Sequence, residues 1–319
     1  MIGSRKVLGV EIGRDEIKAV EMRISGKNRF FIIGYGQTEL SRDILNEGTV
    51  VNEDAFEEAF VRFCGDNSFS ARQAVFGIDN QTTILRFASF PKVDEAKQRG
   101  LIRLNSQEYI PAPLTELELD YVKLNETADE DGEKVNVLLC AVRKKTIQRI
   151  LDISKAAGIT ARMITPSQIA YANTVLGRVE HDNFMAVRIG KKSIYHIVFE
   201  NRQIAFMRNL NLNSAFTSVL AAVARGEKLL PSEIDAISTE IVKGVNATIN
   251  YYRLRNKKEV DQIVITGAIP LRQYTSAVFE RELLARIEFI RLFEPDAKRG
   301  SSPPEDFDGC ISLALSKII

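Results

Sequence analysis

Two short stretches carry the residue types that could hold a phosphate. They are "VEIGRDEIK", Val10 to Lys18, and "VRIGKKSIY", Val187 to Tyr195. Each reads as a strand, a glycine turn and a second strand. Glycine lets a backbone approach an anion closely, and successive N–H groups in such a turn form an anion-binding concavity. Turns of this shape usually carry an acid just before the Ile-Gly pair. Glu11 keeps an acid there, whereas Arg188 puts a cation in its place. Lys18 follows the first turn, and Lys191 and Lys192 lie within the second.

The elements that must position these turns repeat. Aligning the chain from Val7 with the chain from Phe184 places Ile12-Gly13 on Ile189-Gly190 and Ile17 on Ile194. Both blocks continue as strand, polar turn, strand. Alternation of apolar and polar residues predicts half-buried antiparallel strands. Two blocks in one register predict a duplicated domain with a cleft between the halves. A helix over Asp54 to Cys64 follows the first block, then the strands "RQAVFGI" and "TTILRFASF". After the second block, Ile234, Ile237, Ile241, Val245, Ile249 and Tyr252 mark a long helix over Glu233 to Arg255. Ser232 with Asp235 predicts its capping box. "DQIVITGAIP" then reads as a buried strand. Strands alternating with helices give an α/β architecture. From Pro91 to about Thr165 lies material without a counterpart in the second half, read as an inserted α+β subdomain.

Bulk properties exclude several classes. The 319 residues fit about two domains. Lys plus Arg number 43 and Asp plus Glu 42, so no global field draws the chain to nucleic acid or an anionic membrane. Cys64, Cys140 and Cys310 are odd in number and far apart, which predicts reduced thiols rather than a disulfide framework. No apolar run approaches the ~18 residues of a membrane span, and the start lacks a signal-peptide core. His181 and His196 have no second ligand at metal spacing. The basic runs at Arg143–Lys145 and Arg253–Lys258 are read as helix ends, where cations favour a C-terminus or solvate the surface. The tail "DFDGCISLALSKII" predicts a last helix packed in the core rather than a membrane tether.

Longer motifs carry a family resemblance. "EYIPAPLTELELDYVKL" (Glu108 to Leu124), "ILDISKAAGITARMITPSQIAYAN" (Ile150 to Asn173), "EIVKGVNATINYYRLRN" and "QIVITGAIPLRQY" resemble, in order, segments of the PilM family of type IV pilus assembly. The resemblance implies the actin-like ATPase fold: two RNase H-like lobes with an FtsA-type α+β subdomain inserted in the first. It divides the chain into a first lobe (1–90 and 164–180), an inserted subdomain (91–163), a second lobe (181–213 and 260–319) and a helical part of that lobe (214–259). It implies a cytoplasmic scaffold at the inner face of the cytoplasmic membrane. Its expected partners are the short cytoplasmic tail of a PilN-like inner-membrane protein and the type IV pilus motor ATPase complex. No nucleic acid is expected, membrane contact comes only through partners, and a homo-oligomer is left open. The peptide groove is expected between the first lobe and the insert, along Leu85 to Leu124 and nearby surfaces, with no motif to assign its residues.

The resemblance also implies three nucleotide turns, each altered here. The cofactor-binding positions are Glu11, Gly13, Arg14 and Lys18 in the first, Arg188, Gly190 and Lys191 in the second, and Gly267 and Ala268 in the third. Arg14 and Asp15 replace small residues. Arg188 replaces a metal-associated acid. Ala268 replaces a second glycine beside the adenosine. The cations at the second turn either clamp phosphate directly or pair with neighbouring acids such as Glu11 across the cleft. The expectation is a degenerate site, with no catalytic residue, no metal and no cofactor. The alternatives are an ATP- and Mg-binding ATPase or polymerising switch, and an FtsA-like membrane tether.

Overall fold

The computed structural model describes residues 5–25, 29–78, 82–191, 193–212, 216–219, 222, 225, 227–267, 272–293 and 305–316. β1 (Arg5–Ile12), β2 (Glu16–Ser25) and β3 (Arg29–Glu39) form an antiparallel meander. A small hairpin of β4 (Leu45–Asn46) and β5 (Thr49–Val50) leads to α1 (Glu53–Asp66), whose first turn Asn52 caps by accepting from the Ala55 N–H at 3.1 Å. β6 (Gln73–Ile78) then lies parallel to β1.

Three more strands form a separate sheet: β7 (Thr83–Pro91), β8 (Leu117–Asp129) and β9 (Gly132–Arg143), in the order β7-β9-β8, with α2 (Glu95–Asn105) on one face. The chain returns through α3 (Lys144–Ala156) to β10 (Thr160–Pro166), which completes the first sheet as β10-β6-β1-β2-β3. α4 (Ser167–Leu176) follows.

β1 is buried on both faces, as a central strand must be. Leu8, Val10 and Ile12 pack with Phe56, Phe60 and Phe63 of α1 and with Ile150 and Ile153 of α3. The opposite face takes the terminal helix, Asp308–Leu315, whose Cys310, Leu313 and Ala314 are fully buried as the sequence predicts. Gly9 permits this approach. A Cβ there would collide with the Cys310 carbonyl and lie 2.7 Å from the Ala314 nitrogen.

The second unit repeats the plan. β11 (Phe184–Ile189), β12 (Ser193–Glu200) and β13 (Gln203–Asn211) are antiparallel. The long helix Pro231–Asn256 leads to β14 (Gln262–Gly267), and the helix Arg272–Glu282 to β15 (Arg286–Phe289). The order β13-β12-β11-β14-β15 matches the first sheet, with β14 and β15 parallel. Ile237, Ile241, Val245 and Tyr252 of the long helix pack on Met185, Val187 and Ile263. Its start differs from the Ser232–Asp235 expectation. Leu230 is the cap residue, and its N–H donates to the Glu233 carboxylate at 2.8 Å. Pro231 takes the first helical position, where its missing N–H costs nothing.

The expected boundaries shift. The insert is Thr83–Arg143 rather than 91–163, because β10 pairs with β6 and α3 feeds the first core. The second compact unit begins at Ala172 rather than after residue 180, and residues from Gly309 group with the first unit rather than the second. The close approach of the terminal helix at Gly9 is the reason for the latter.

Candidate functional site

The two sequence repeats fold alike at atomic detail. The Gly13 N–H donates to the Glu16 carbonyl at 2.9 Å, and the Gly190 N–H donates to the Ser193 carbonyl at the same 2.9 Å. Ile12 pairs with Ile17, and Ile189 with Ile194. What differs is the company each turn keeps.

In the first turn, Arg14 donates through Nε to a Glu47 carboxylate oxygen at 2.6 Å. That bond holds the Glu47 carboxyl below its ordinary value. The Gly48 N–H donates to the Arg14 carbonyl and the Leu40 N–H to the Asp15 carbonyl, both at 2.8 Å. The turn is therefore tied to the β4–β5 hairpin. Lys18 is buried and forms an ion pair with Glu16 at 3.2 Å. Glu11 is buried too, and its carboxylate lies against Gly309, where any Cβ would collide with it. Gly309 belongs to the first turn of the terminal helix, whose N-terminal dipole favours a carboxylate.

In the second turn, Arg188 is 3% exposed. Its guanidinium lies 5.2 Å from the Tyr195 ring centroid and donates to the Asp306 carbonyl at 3.4 Å. Lys191 places Nζ 3.2 Å from an Asp306 carboxylate oxygen. Asp306 sits in a short 3-10 turn, Glu305–Phe307, and is itself buried. Lys192 lies outside the described residues.

The third turn begins with buried Thr266 and Gly267. Gly267 has φ +81, and a Cβ would collide with the Ile189 carbonyl of β11. Strand packing alone demands this glycine. Ala268 lies outside the described residues. Elsewhere in the second unit, Phe216 and Val219 join Glu233, Ile237 and Glu240 around an open cavity of about 460 Å³. Two carboxylates on its wall disfavour a polyphosphate.

The insert offers a different kind of surface. Ala88, Phe90, Val137, Leu139 and Ala141 face α2. The alternate residues face the other way, because side chains switch faces at every step along a strand. Across β7, β9 and β8 these form two rows: Leu85–Cys140–Asp120 and Phe87–Leu138–Val122. Leu85, Phe87, Cys140 and Val122 are half-buried, and Leu138 is fully buried beneath its neighbours. Val142, farther along β9 on this face, belongs to the first core with Ile150 and Ile153. An apolar face thus runs out from the first core along the insert. Burial pushes the Cys140 thiol up to about 12, with Asp120 adding to it, so it is an apolar contact rather than a nucleophile. Cys64 is likewise pushed up to about 12 by burial.

His196 is structural. It is fully buried, with Nδ1 2.7 Å from the Thr248 hydroxyl of the long helix. Burial, with Arg208 contributing, pushes its value down to about 3, so the ring is neutral. His181 lies in the loop before β11.

Sequence reasoning found the turns but missed Glu47, Asp306 and Gly309. Asp306 is 118 residues from Arg188, and no local pattern marks it. The apolar face of the insert did leave a signal. "VNVLLCAV" is apolar at both parities, which requires something on each face of β9.

The family profile for type IV pilus assembly protein PilM matches residues 9–218. Among solved structures, the chain is similar to one of a PilM-PilN type IV pilus biogenesis complex, at TM-score 0.77 and 21% identity over 98% of each chain. It is similar to the ethanolamine utilization protein EutJ from Carboxydothermus hydrogenoformans, at TM-score 0.53 and 12% identity over 98% of this chain and 90% of that one. It also resembles a Bacteroides thetaiotaomicron protein with an actin-like ATPase fold, at TM-score 0.51 and 11% identity over 98% and 96%. The fold is therefore the actin-like one, with duplicated sheets and an inserted α+β subdomain.

Proposed function

The chain belongs to the PilM family of type IV pilus assembly proteins, and from that premise we propose that it works as a scaffold that binds rather than catalyses. Its ligand is the short cytoplasmic tail of a PilN-like inner-membrane protein. The bound tail joins that protein to the pilus motor complex. The observation that carries this reading is the half-buried apolar face of the insert formed by Leu85, Phe87, Val122 and Cys140 over the buried Leu138. An extended peptide can lay alternate side chains into such a face. Similarity to a PilM-PilN complex supports the choice of partner.

The altered turns support a role without nucleotide chemistry. Lys191 is engaged by Asp306, Arg14 by Glu47, and Glu11 lies against the terminal helix. No described residue at these turns is assigned a catalytic role, and neither ATP nor Mg is required. No helix among the described residues is long and apolar enough to cross a membrane, so membrane attachment through the partner fits the reading.

Fluorescence anisotropy with a labelled peptide copying the tail of the PilN-like protein from the same organism tests it. Saturable binding is expected, weakened at least about tenfold by Phe87→Asp or Val122→Asp. Equal binding by the wild type and both folded variants contradicts the assigned face.

A further inference from the structure

The basic run at the end of the long helix is unused by the peptide-binding reading. Cations near a helix C-terminus are ordinary, because they answer the helix dipole. The dipole does not account for what lies among them. Tyr251, Leu254 and Arg255 stand at i, i+3 and i+4, which is one stripe of a helix. Leu254 is 70% and Tyr251 47% exposed. Arg255 donates to the Tyr251 hydroxyl at 3.2 Å.

The neighbouring strand β13 widens this stripe into a patch. The Phe206 ring centroid lies 5.3 Å from that of Tyr251. Arg208, two residues on, leaves the strand on the same side and is exposed. Its cross-strand partner His196 reaches the same helix at Thr248. Arg208, Arg253, Arg255, Lys257 and Lys258, all exposed, thus accompany an exposed leucine and tyrosine. Two acids answer them: Glu200 pairs with Lys258 at 2.6 Å, and Glu259 approaches Arg253 at 3.9 Å. Among the described residues, no ion pair engages Arg208, Arg255 or Lys257.

We propose that this patch rests directly on an anionic bilayer surface. Lipid phosphates meet the cations, and Leu254 enters the boundary between headgroups and acyl chains. Tyr251 keeps its hydroxyl at headgroup level, as amphipathic side chains do at such interfaces. A purely acidic protein partner would satisfy the cations and leave the leucine unaccounted for. The attraction is local, because the whole chain is close to neutral. It is independent of the peptide-binding face. On the reading above, a copy already held by a membrane protein's tail makes this second contact intramolecularly, so a weak affinity suffices.

Co-sedimentation of the full chain, without any partner peptide, tests this on vesicles of phosphatidylcholine with and without phosphatidylglycerol. Binding is expected on the anionic vesicles alone, and its loss at high salt. Arg253→Glu with Arg255→Glu is expected to weaken it at least about tenfold. Leu254→Ser, at an exposed position, is expected to weaken it severalfold with every charge retained. Lys97→Glu with Arg99→Glu on α2 changes the net charge equally and is expected to leave binding within twofold. Circular dichroism checks the fold of each variant. No binding to anionic vesicles, an equal loss in the α2 variant, or an unchanged affinity in Leu254→Ser overturns the proposal. Binding of soluble polyglutamate with the vesicles left unbound overturns it in favour of an acidic protein partner.

Discussion

Lys191 holds its ammonium 3.2 Å from the carboxylate of Asp306, while the backbone carbonyl of that same aspartate accepts from Arg188 at 3.4 Å. Asp306 alone thereby engages Arg188 and Lys191, the two described cations of the second turn. The consequence for Arg188 is structural. Replacing it with Met removes a donor from a buried carbonyl, and chemical denaturation is expected to register a loss of about 1–3 kcal/mol. Peptide affinity is expected to stay within twofold of the wild type.

Isothermal calorimetry with ATP and Mg²⁺ is expected to show no micromolar binding. A micromolar, metal-dependent affinity would contradict the scaffold reading at its nucleotide-free half and favour an ATP-switched protein.

Gly9→Ala probes the packing of the terminal helix. The new Cβ meets the Cys310 carbonyl and the Ala314 nitrogen, which are backbone atoms and cannot swing aside. A cost at or above the top of the usual overpacking range, about 3 kcal/mol, is expected in thermal melts. Gly77→Ala meets chiefly the side-chain ends of Leu313 and Ser167 and is expected to cost less. Equal costs would mean that the helix does not lie this close to β1.

His196 predicts a pH dependence. Its folded value is pushed down to about 3, below the ordinary value of 6.5. The unfolded chain therefore binds the extra proton first as pH falls, and stability drops from pH 6.5 toward 3. By pH 5 the loss is about 2 kcal/mol. Denaturant titrations at pH 7.5 and pH 5 on the wild type and His196→Gln check this. The variant is expected to lack that increment. An identical pH slope in both would place the dependence elsewhere.

Much of this architecture is legible in the sequence because it is local. The Ile-Gly turns, their strand partners and the apolar stripe of the long helix follow from spacing alone. The correspondence of Ile12-Gly13 with Ile189-Gly190 and of Ile17 with Ile194 is legible for that reason, and the structure pairs Ile12 with Ile17 and Ile189 with Ile194. The insert boundary was not readable, because no local pattern marks which sheet β10 joins, and only its pairing with β6 returns it to the first sheet. Nor was the destination of Arg188 readable, since Asp306 meets it only through tertiary structure. The sequence did show that β9 is apolar on both faces. Which face α2 covers had to be seen.

Hydrogen exchange of the full chain, with and without a peptide copying the PilN-like tail, tests the central claim most directly. The account predicts new protection in β7 and β8, within residues 83–91 and 117–124, and none at Gly13, Gly190 or Gly267. Protection confined to those glycine turns, with β7 and β8 unchanged, would contradict it.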